Sequence, residues 1–414
     1  MARRTGRGPL RRMSDSEAHA AESDHGEIPV HPRIPAGEPE LIDTQSGFIN
    51  LIERLREAGE FAYDTEFIGE HTYYPQVCLI QVATMGFVAL IDPLAGFDVG
   101  PLWELLADPD VTKLVHAGLQ DLEPVHRLTG KHPAAVFDTQ IAAALVGSRY
   151  PVSLAELASV YCGAEMGRGL KFSQWDRRPL TPKQRRYAAD DVRYLPLLVE
   201  RLRARLDEMG RTSWADAEFE HFADLSIYRT DPATRKLKAK GVSKMKLRPK
   251  AALRALVVWR EGVARERDIS PRELINDELL FEIATERVVE ADQLKRIAGV
   301  PKVVRRELAQ DIAAVVRDVF EGPRPPAPLR RPRPTEREEE AMAHAWAGLG
   351  ERCEALAVAQ SLVMSRKSIS DIALRAVRTG AATSVEGWRA ELVDPVILSV
   401  LRRFGSRPPA QDDA

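Results

Sequence analysis

Two acidic side chains stand one residue apart in Phe61-Ala-Tyr-Asp64-Thr-Glu66-Phe67, a run that alternates apolar and polar residues. That period belongs to a strand, in which residues i and i+2 point to the same face. Asp64 and Glu66 therefore project together, while Ala62 and the flanking apolar residues can face a core. Paired carboxylates repel each other and are costly to bury. The pair is either a solvated strand edge or part of a site for a hard cation such as Mg²⁺ or Mn²⁺, which prefers oxygen ligands.

Two more aspartates bear on the choice. Asp121 ends Lys113-Leu-Val-His-Ala-Gly-Leu-Gln-Asp, just past a strand and early in a helix. Ligands of open α/β sheets gather at the carboxyl ends of strands, although an aspartate there can simply complement the helix dipole. Asp191 ends Tyr187-Ala-Ala-Asp-Asp, so Tyr187 and Asp191 sit at i and i+4 and share a helix face. Asp190 is turned about 100° from Asp191 and is expected to face solvent. Alone, Tyr187 and Asp191 could be an ordinary surface pair; beside Asp64 and Glu66 that reading weakens.

The elements that must hold these residues alternate between strand and helix. Periodicity predicts strands at 61–67, 77–84, 87–92, 113–116 and 135–138. It predicts helices at 46–58, 102–107, 119–128, 139–146 and 153–161, and one long helix from Thr181-Pro182 to about Met209. This is an α/β domain with a mixed sheet, spanning 36–220. Asp138, before Thr139, reads as a helix-start residue rather than a ligand.

Residues 1–35 are polar, charged and unpatterned, which suggests a disordered tail. Residues 221–250 form a basic linker; Arg229–Arg254 carries ten Lys or Arg against one acid, Asp231. Such a run is either a solvated connection or an attractor of phosphates. Helical patterns fill 251–322 and 335–405, separated by a Pro-rich linker at 323–334 and followed by a tail at 406–414. The second helical pattern echoes the first, as a diverged repeat would.

The chain of 414 residues has no apolar run long enough to span a bilayer, and its start lacks the apolar stretch of a signal peptide. Cys78, Cys162 and Cys353 form no metal or redox spacing. They read as reduced thiols of a cytoplasmic protein with no membrane partner. No phosphate-binding G-x-x-x-x-G-K-[ST] loop is present, which argues against ATP-driven unwinding.

Asp64-x-Glu66, Asp121 and Tyr187-x-x-x-Asp191 together resemble the signature of the DEDDy 3′–5′ exonucleases. Three flanking stretches narrow the resemblance to ribonuclease D: Thr72-Tyr-Tyr-Pro-Gln-Val-Cys-Leu-Ile-Gln81, His116-Ala-Gly, and Trp175-Asp-Arg-Arg-Pro-Leu180. Residues from Trp259-Arg260 to Val319 resemble an HRDC domain, a helical nucleic-acid-binding module, and the later helical pattern fits a second one. The resemblance implies a ribonuclease H-like exonuclease domain followed by two all-α HRDC-like domains.

It also implies two Mg²⁺ or Mn²⁺ ions held by Asp64, Glu66, Asp121 and Asp191, with Tyr187 orienting the attacking water and nucleoside 5′-monophosphates as products. RNA is the implied partner, with transfer-RNA 3′ ends as the family's characteristic substrate. His116 would support the site from behind or serve as a core histidine. Phe67, Tyr73 and Tyr74 would stack on terminal bases or fill the core. Gly69 departs from the family, many members of which carry an arginine there that could meet RNA phosphate. Two other readings stay open, a 3′–5′ DNA exonuclease and a catalytically dead RNA-binding protein. The full acidic set with Tyr187 argues against the second.

Overall fold

The computed structural model describes residues 26–167, 169, 173–228, 232–233, 239–326 and 332–405. Of the expected disordered tail over 1–35, residues 1–25 lie outside the described residues, as do the tail at 406–414, part of the basic linker and the middle of the Pro-rich linker; residues 26–35 are ordered against the domain instead, with Ile34 buried in its core.

Six strands form one sheet: β1 (Glu40–Ile42), β2 (Glu60–Ile68), β3 (Gln76–Ala83), β4 (Val88–Ile91), β5 (Thr112–Val115) and β6 (Val136–Asp138), in the order β1-β4-β3-β2-β5-β6. β1 runs parallel to β4, β2 to β5 and β5 to β6, while β3 is antiparallel to β4, so the sheet is mixed. The five expected strands are present. β1 was missed because three residues are too few to show a period.

The helices of this region are α1 (Gln45–Ala58), α2 (Gly100–Leu106), α3 (Leu119–Thr129), α4 (Thr139–Leu145), α5 (Leu154–Cys162), α6 (Pro182–Arg193), α7 (Leu195–Glu208) and α8 (Thr212–Phe219). The one long helix expected after Thr181 is thus two. Pro196, near the start of α7, has no N–H to donate to the carbonyl of Val192, and the chain turns at Tyr194.

Packing divides the chain into two compact units. One runs to Thr65 and adds Leu79–Ala223 and the chain from Arg337; the other joins Glu66–Cys78 to Asp224–Glu336. The second unit contains α9 (Leu247–Glu266), α10 (Pro271–Leu274), α11 (Asp277–Thr285), α12 (Lys302–Glu307) and α13 (Ala309–Glu321) around a core of its own that includes Leu253, Leu256, Ile283 and Ile312. Its buried Arg260 donates to the Ile275 carbonyl at 2.9 Å and to Asp277 at 2.8 Å. The 66–78 segment docks on these helices: Ser270 N donates to the His71 carbonyl at 3.1 Å, and Arg265 to the Tyr73 hydroxyl at 3.0 Å.

In the first unit, α14 (Glu336–Ala355), α15 (Gln360–Val363), α16 (Arg366–Thr379) and α17 (Ala390–Phe404) share one continuous core with α4, α7 and α8. Arg211 donates to the carbonyls of Leu145, Leu356 and Ala357. Trp214 stacks on Trp388 with ring centroids 4.9 Å apart, and Trp388 Nε1 donates to Glu218 at 2.9 Å. No helix among the described residues is long and apolar enough to cross a membrane.

Candidate active site

β2 brings Asp64 to the middle of the sheet, with Phe61, Ala62 and Tyr63 fully buried before it. Glu66 follows two positions along the strand and so leaves it on the same side. The neighbours of Asp64 do a separate job. Tyr63 Oη donates to the backbone carbonyl of Asp121 at 2.9 Å, and Thr65 Oγ1 donates to the Asp121 carboxylate at 2.5 Å. One strand thus contributes Asp64 and also fixes Asp121.

Asp121 lies in the first turn of α3. The turn entering that helix is tight: Ala117 has φ 56°, and a Cβ on Gly118 would come within 2.6 Å of Val115 Cβ, so only glycine fits. Buried Asp138 clamps the turn, accepting from Ala117 N at 3.2 Å and Gly118 N at 3.3 Å. The same carboxylate caps α4 through Gln140 N and Ile141 N. Burial pushes its pKa up to about 6, against the pull of these four N–H groups.

His116 stands behind the turn. Its Nε2 donates to the Val152 carbonyl at 3.1 Å, and its Nδ1 meets the Thr139 hydroxyl at 2.9 Å. Burial lowers its pKa to about 4, so the ring is neutral at physiological pH.

Helix α6 supplies the other half. It opens with the Thr181–Gln184 capping box and Pro182 in its first turn. Tyr187 hydrogen-bonds Asp191, as the i, i+4 spacing predicts. The Tyr187 ring lies 6.1 Å from that of Trp175, and a Cβ on Gly169 would stand 3.9 Å from its hydroxyl. Burial raises the Asp191 pKa to about 7; the Tyr187 hydrogen bond opposes this, and the charges of Asp190 and Asp121 add to it. Asp121 is raised mainly by burial, against the Thr65 hydrogen bond.

The structure therefore brings Asp121, Asp191 and Tyr187 into one electrostatic neighbourhood, with Asp64 between the two residues that hold Asp121. Among the described residues no three acidic, histidine or cysteine side chains close into a ligand cluster. Like charges without a counter-ion repel, and part of the cost appears as the raised carboxyls.

Asp190 corrects an expectation. It is 0 % exposed and is bonded to Arg186 and Arg193, because its side of the helix is covered by chain rather than by water. Phe67 and Tyr74 are 38 % and 39 % exposed, whereas Tyr73 packs against the helical core of the second unit. At Gly69 a Cβ would stand 3.2 Å from Pro75 Cγ. Sequence reading missed the holding roles of Tyr63 and Thr65 and the reach of Asp138 back to the turn. Only the Asp138-Thr139 helix start gave a signal for any of these.

Comparisons with known proteins bear on the two domains rather than on single residues. Residues 39–207 match a 3′–5′ exonuclease family model, and residues 250–316 match the HRDC domain. The chain is 35 % identical to ribonuclease D of Acidiphilium cryptum over 367 residues, covering 86 % of this chain and 91 % of that one. It is 38 % identical to ribonuclease D of Gluconacetobacter diazotrophicus over 268 residues, covering 64 % of this chain and 67 % of that one. The crystal structure of Escherichia coli RNase D, described as an exoribonuclease involved in structured RNA processing, superposes with a TM-score of 0.73 at 27 % identity, covering 89 % of this chain and all of that one. With an exonuclease sheet, an HRDC module and relatives matched across most of their length, the chain belongs to the ribonuclease D family.

Proposed function

We propose that Asp64, Glu66, Asp121 and Asp191 hold two divalent cations, Mg²⁺ or Mn²⁺, where the terminal phosphodiester at an RNA 3′ end is hydrolysed, and that Tyr187 directs the attacking water. As a member of its family the chain is a 3′–5′ exoribonuclease, and the exonuclease family is metal-dependent. The donor set fits hard cations: it is all oxygen, and Asp121 and Asp191 carry a burial cost that a dication would offset. When bound, the cations supply Lewis acidity at the attacking water and at the departing 3′ oxygen.

Tyr187 acts as a hydrogen-bonding group. A phenol with a pKa of about 10 is a poor base at neutral pH, but its bond to Asp191 fixes where its hydroxyl points. The water oxygen forms the new bond to phosphorus and the bond to the 3′ oxygen breaks. The products are a nucleoside 5′-monophosphate and a chain one residue shorter with a free 3′-hydroxyl.

Transfer-RNA precursors, in the cytoplasm, are the substrates this reading favours. The body of a structured RNA needs a grip away from the repelling carboxylates. The basic tract and the first helical module serve for this, the latter through a cavity of about 290 Å³ lined by Lys295, Lys302, Arg305 and Arg306.

The observation that carries the reading is the Tyr187–Asp191 bond on one face of α6 with Asp121 near enough to raise Asp191. Asp64→Asn and Asp191→Asn should stay folded and bind RNA without cutting it. Tyr187→Phe should keep RNA affinity and lose rate by about 10- to 1,000-fold. Near-normal turnover by Asp64→Asn in Mg²⁺, on matched RNA and DNA oligonucleotides, would sink the assignment.

A further inference from the structure

The two adjacent aspartates of α6 point about 100° apart around the helix and meet different partners. Asp191 meets Tyr187, whereas Asp190 lies between two guanidinium groups: Arg193 Nε donates to one carboxylate oxygen at 3.0 Å and Arg186 Nε to the other at 2.7 Å. Arg193 is itself 1 % exposed. Other donors of both arginines leave the helix for one segment of chain. Arg193 reaches the carbonyls of Pro35 and Gly37, the latter at 3.1 Å, and Arg186 reaches the carbonyl of Gly26 at 3.0 Å. That segment is pinned elsewhere too: Gly26 N donates to the Glu165 carbonyl at 3.1 Å, Arg33 pairs with Glu200 of α7, and Ile34 is buried in the core. All of it precedes the residues matched by the exonuclease family model, which begin at 39.

A buried carboxylate with two guanidinium groups is a poor source of stability, because desolvation offsets the attraction. It does fix geometry. We propose that residues 26–37 form a strap that sets the seat of α6, and that Asp190, Arg193 and Arg186 are positioning residues for Tyr187 and Asp191, acting from another side of the helix. The argument rests on the assignment of Tyr187 and Asp191 to the reacting end. A helix held by three carbonyls of one strap has less freedom to slide or rotate, and displacement of a reacting group by about 1 Å can cost up to about 100-fold in rate.

The test uses the full chain and two variants. The double variant Asp190→Leu/Arg193→Met exchanges the buried pair for apolar groups of similar volume, which buried pairs commonly tolerate. Arg186→Gln, at a partly exposed position, removes the Gly26 tether together with one of the two guanidinium groups on Asp190. The readouts are melting temperature, kcat and KM on a short single-stranded RNA, and the Mg²⁺ concentration for half-maximal rate. The expected result for the double variant is a kcat lowered about tenfold with KM unchanged, a raised Mg²⁺ requirement and a melting temperature near wild type. Arg186→Gln should show a smaller loss of the same kind.

A folded double variant with wild-type kcat and Mg²⁺ requirement overturns the proposal. If the double variant does not fold, Arg186→Gln decides: a lowered kcat at unchanged KM and melting temperature supports the strap, and an unchanged kcat overturns it. Asp191→Asn is run alongside. If it retains activity, the site assignment fails and takes the strap with it; if it is inactive while the double variant is not, only the strap fails.

Discussion

The two C-terminal helical regions open alike and end up in different company. Each begins with a 20-residue helix followed by a four-residue one, α9 and α10 in the first and α14 and α15 in the second. The first closes a core around its own leucines and isoleucines and buries Arg260 against its own Asp277. Among the described residues, the second has no such private interior. Leu349, Ile369 and Val396 belong to the same core as Leu145 and Leu198 of the nuclease sheet's helices, and Glu218 of α8 takes hydrogen bonds from both Trp388 and Arg389. Similar helices can thus build a self-sufficient module or complete another domain's interior, and the outcome depends on which faces are left apolar.

The contrast breaks most readily by cutting the chain. Ending it at residue 326 should uncover the α4, α7 and α8 surfaces and abolish cooperative folding of the nuclease, whereas residues 239–326 alone should melt cooperatively. Circular dichroism on both fragments checks this, and a stable nuclease ending at 326 would dissolve the distinction. A milder form is Trp388→Ala. It removes the stack on Trp214 and a bond to Glu218, and should cost about 3–5 kcal/mol, read as a lower denaturation midpoint of the nuclease transition.

A second test sharpens the contrast in RNA binding. Lys302→Ala, Arg305→Ala and Arg306→Ala in the first module should each lower the slope of log affinity against log salt for a structured RNA by about one. Exposed cations at the start of α16, Arg366 and Lys367, should change it far less. Equal changes from both sets would show that the second region grips RNA as well.

The smallest effect is pH dependence confined to the nuclease. Burial raises the Asp191 pKa from 3.8 to about 7. A raised carboxyl binds its proton more tightly folded than unfolded, so its contribution is fully present below pH 3.8 and is lost as pH rises through about 7. Without divalent cation, the Asp191 contribution should therefore lower the nuclease melting temperature at pH 8 relative to pH 5.5. Mg²⁺ should restore more at pH 8 than at pH 5.5. Asp191→Asn should flatten both trends, and calorimetry in chelator and in Mg²⁺ reads them directly.

What could be read from the residues alone was local. Period-two runs marked five strands, Thr181-Pro182 marked a helix start, and the i, i+4 spacing placed Tyr187 with Asp191. The helical angle also separated Asp190 from Asp191 correctly, but the angle says nothing of what covers the other face. That cover comes from Pro35 and Gly37, more than 150 positions away. The same limit hid the partnership of Trp214 with Trp388 and the grip of Arg211 on the carbonyls of Leu356 and Ala357. Periodicity shows that a face is apolar; it does not name the surface that face will meet.

The 66–78 segment has a consequence for how such chains diversify. Between β2 and β3 it lies inside the stretch matched by the nuclease family model, yet His71 and Tyr73 are bonded to Ser270 and Arg265 of the helical module. Recombination that shuffles the two modules at their sequence borders would separate those partners. Insertions or deletions in this segment should therefore be inherited together with changes at 265–273, and a transplanted module would work best if the segment travelled with it.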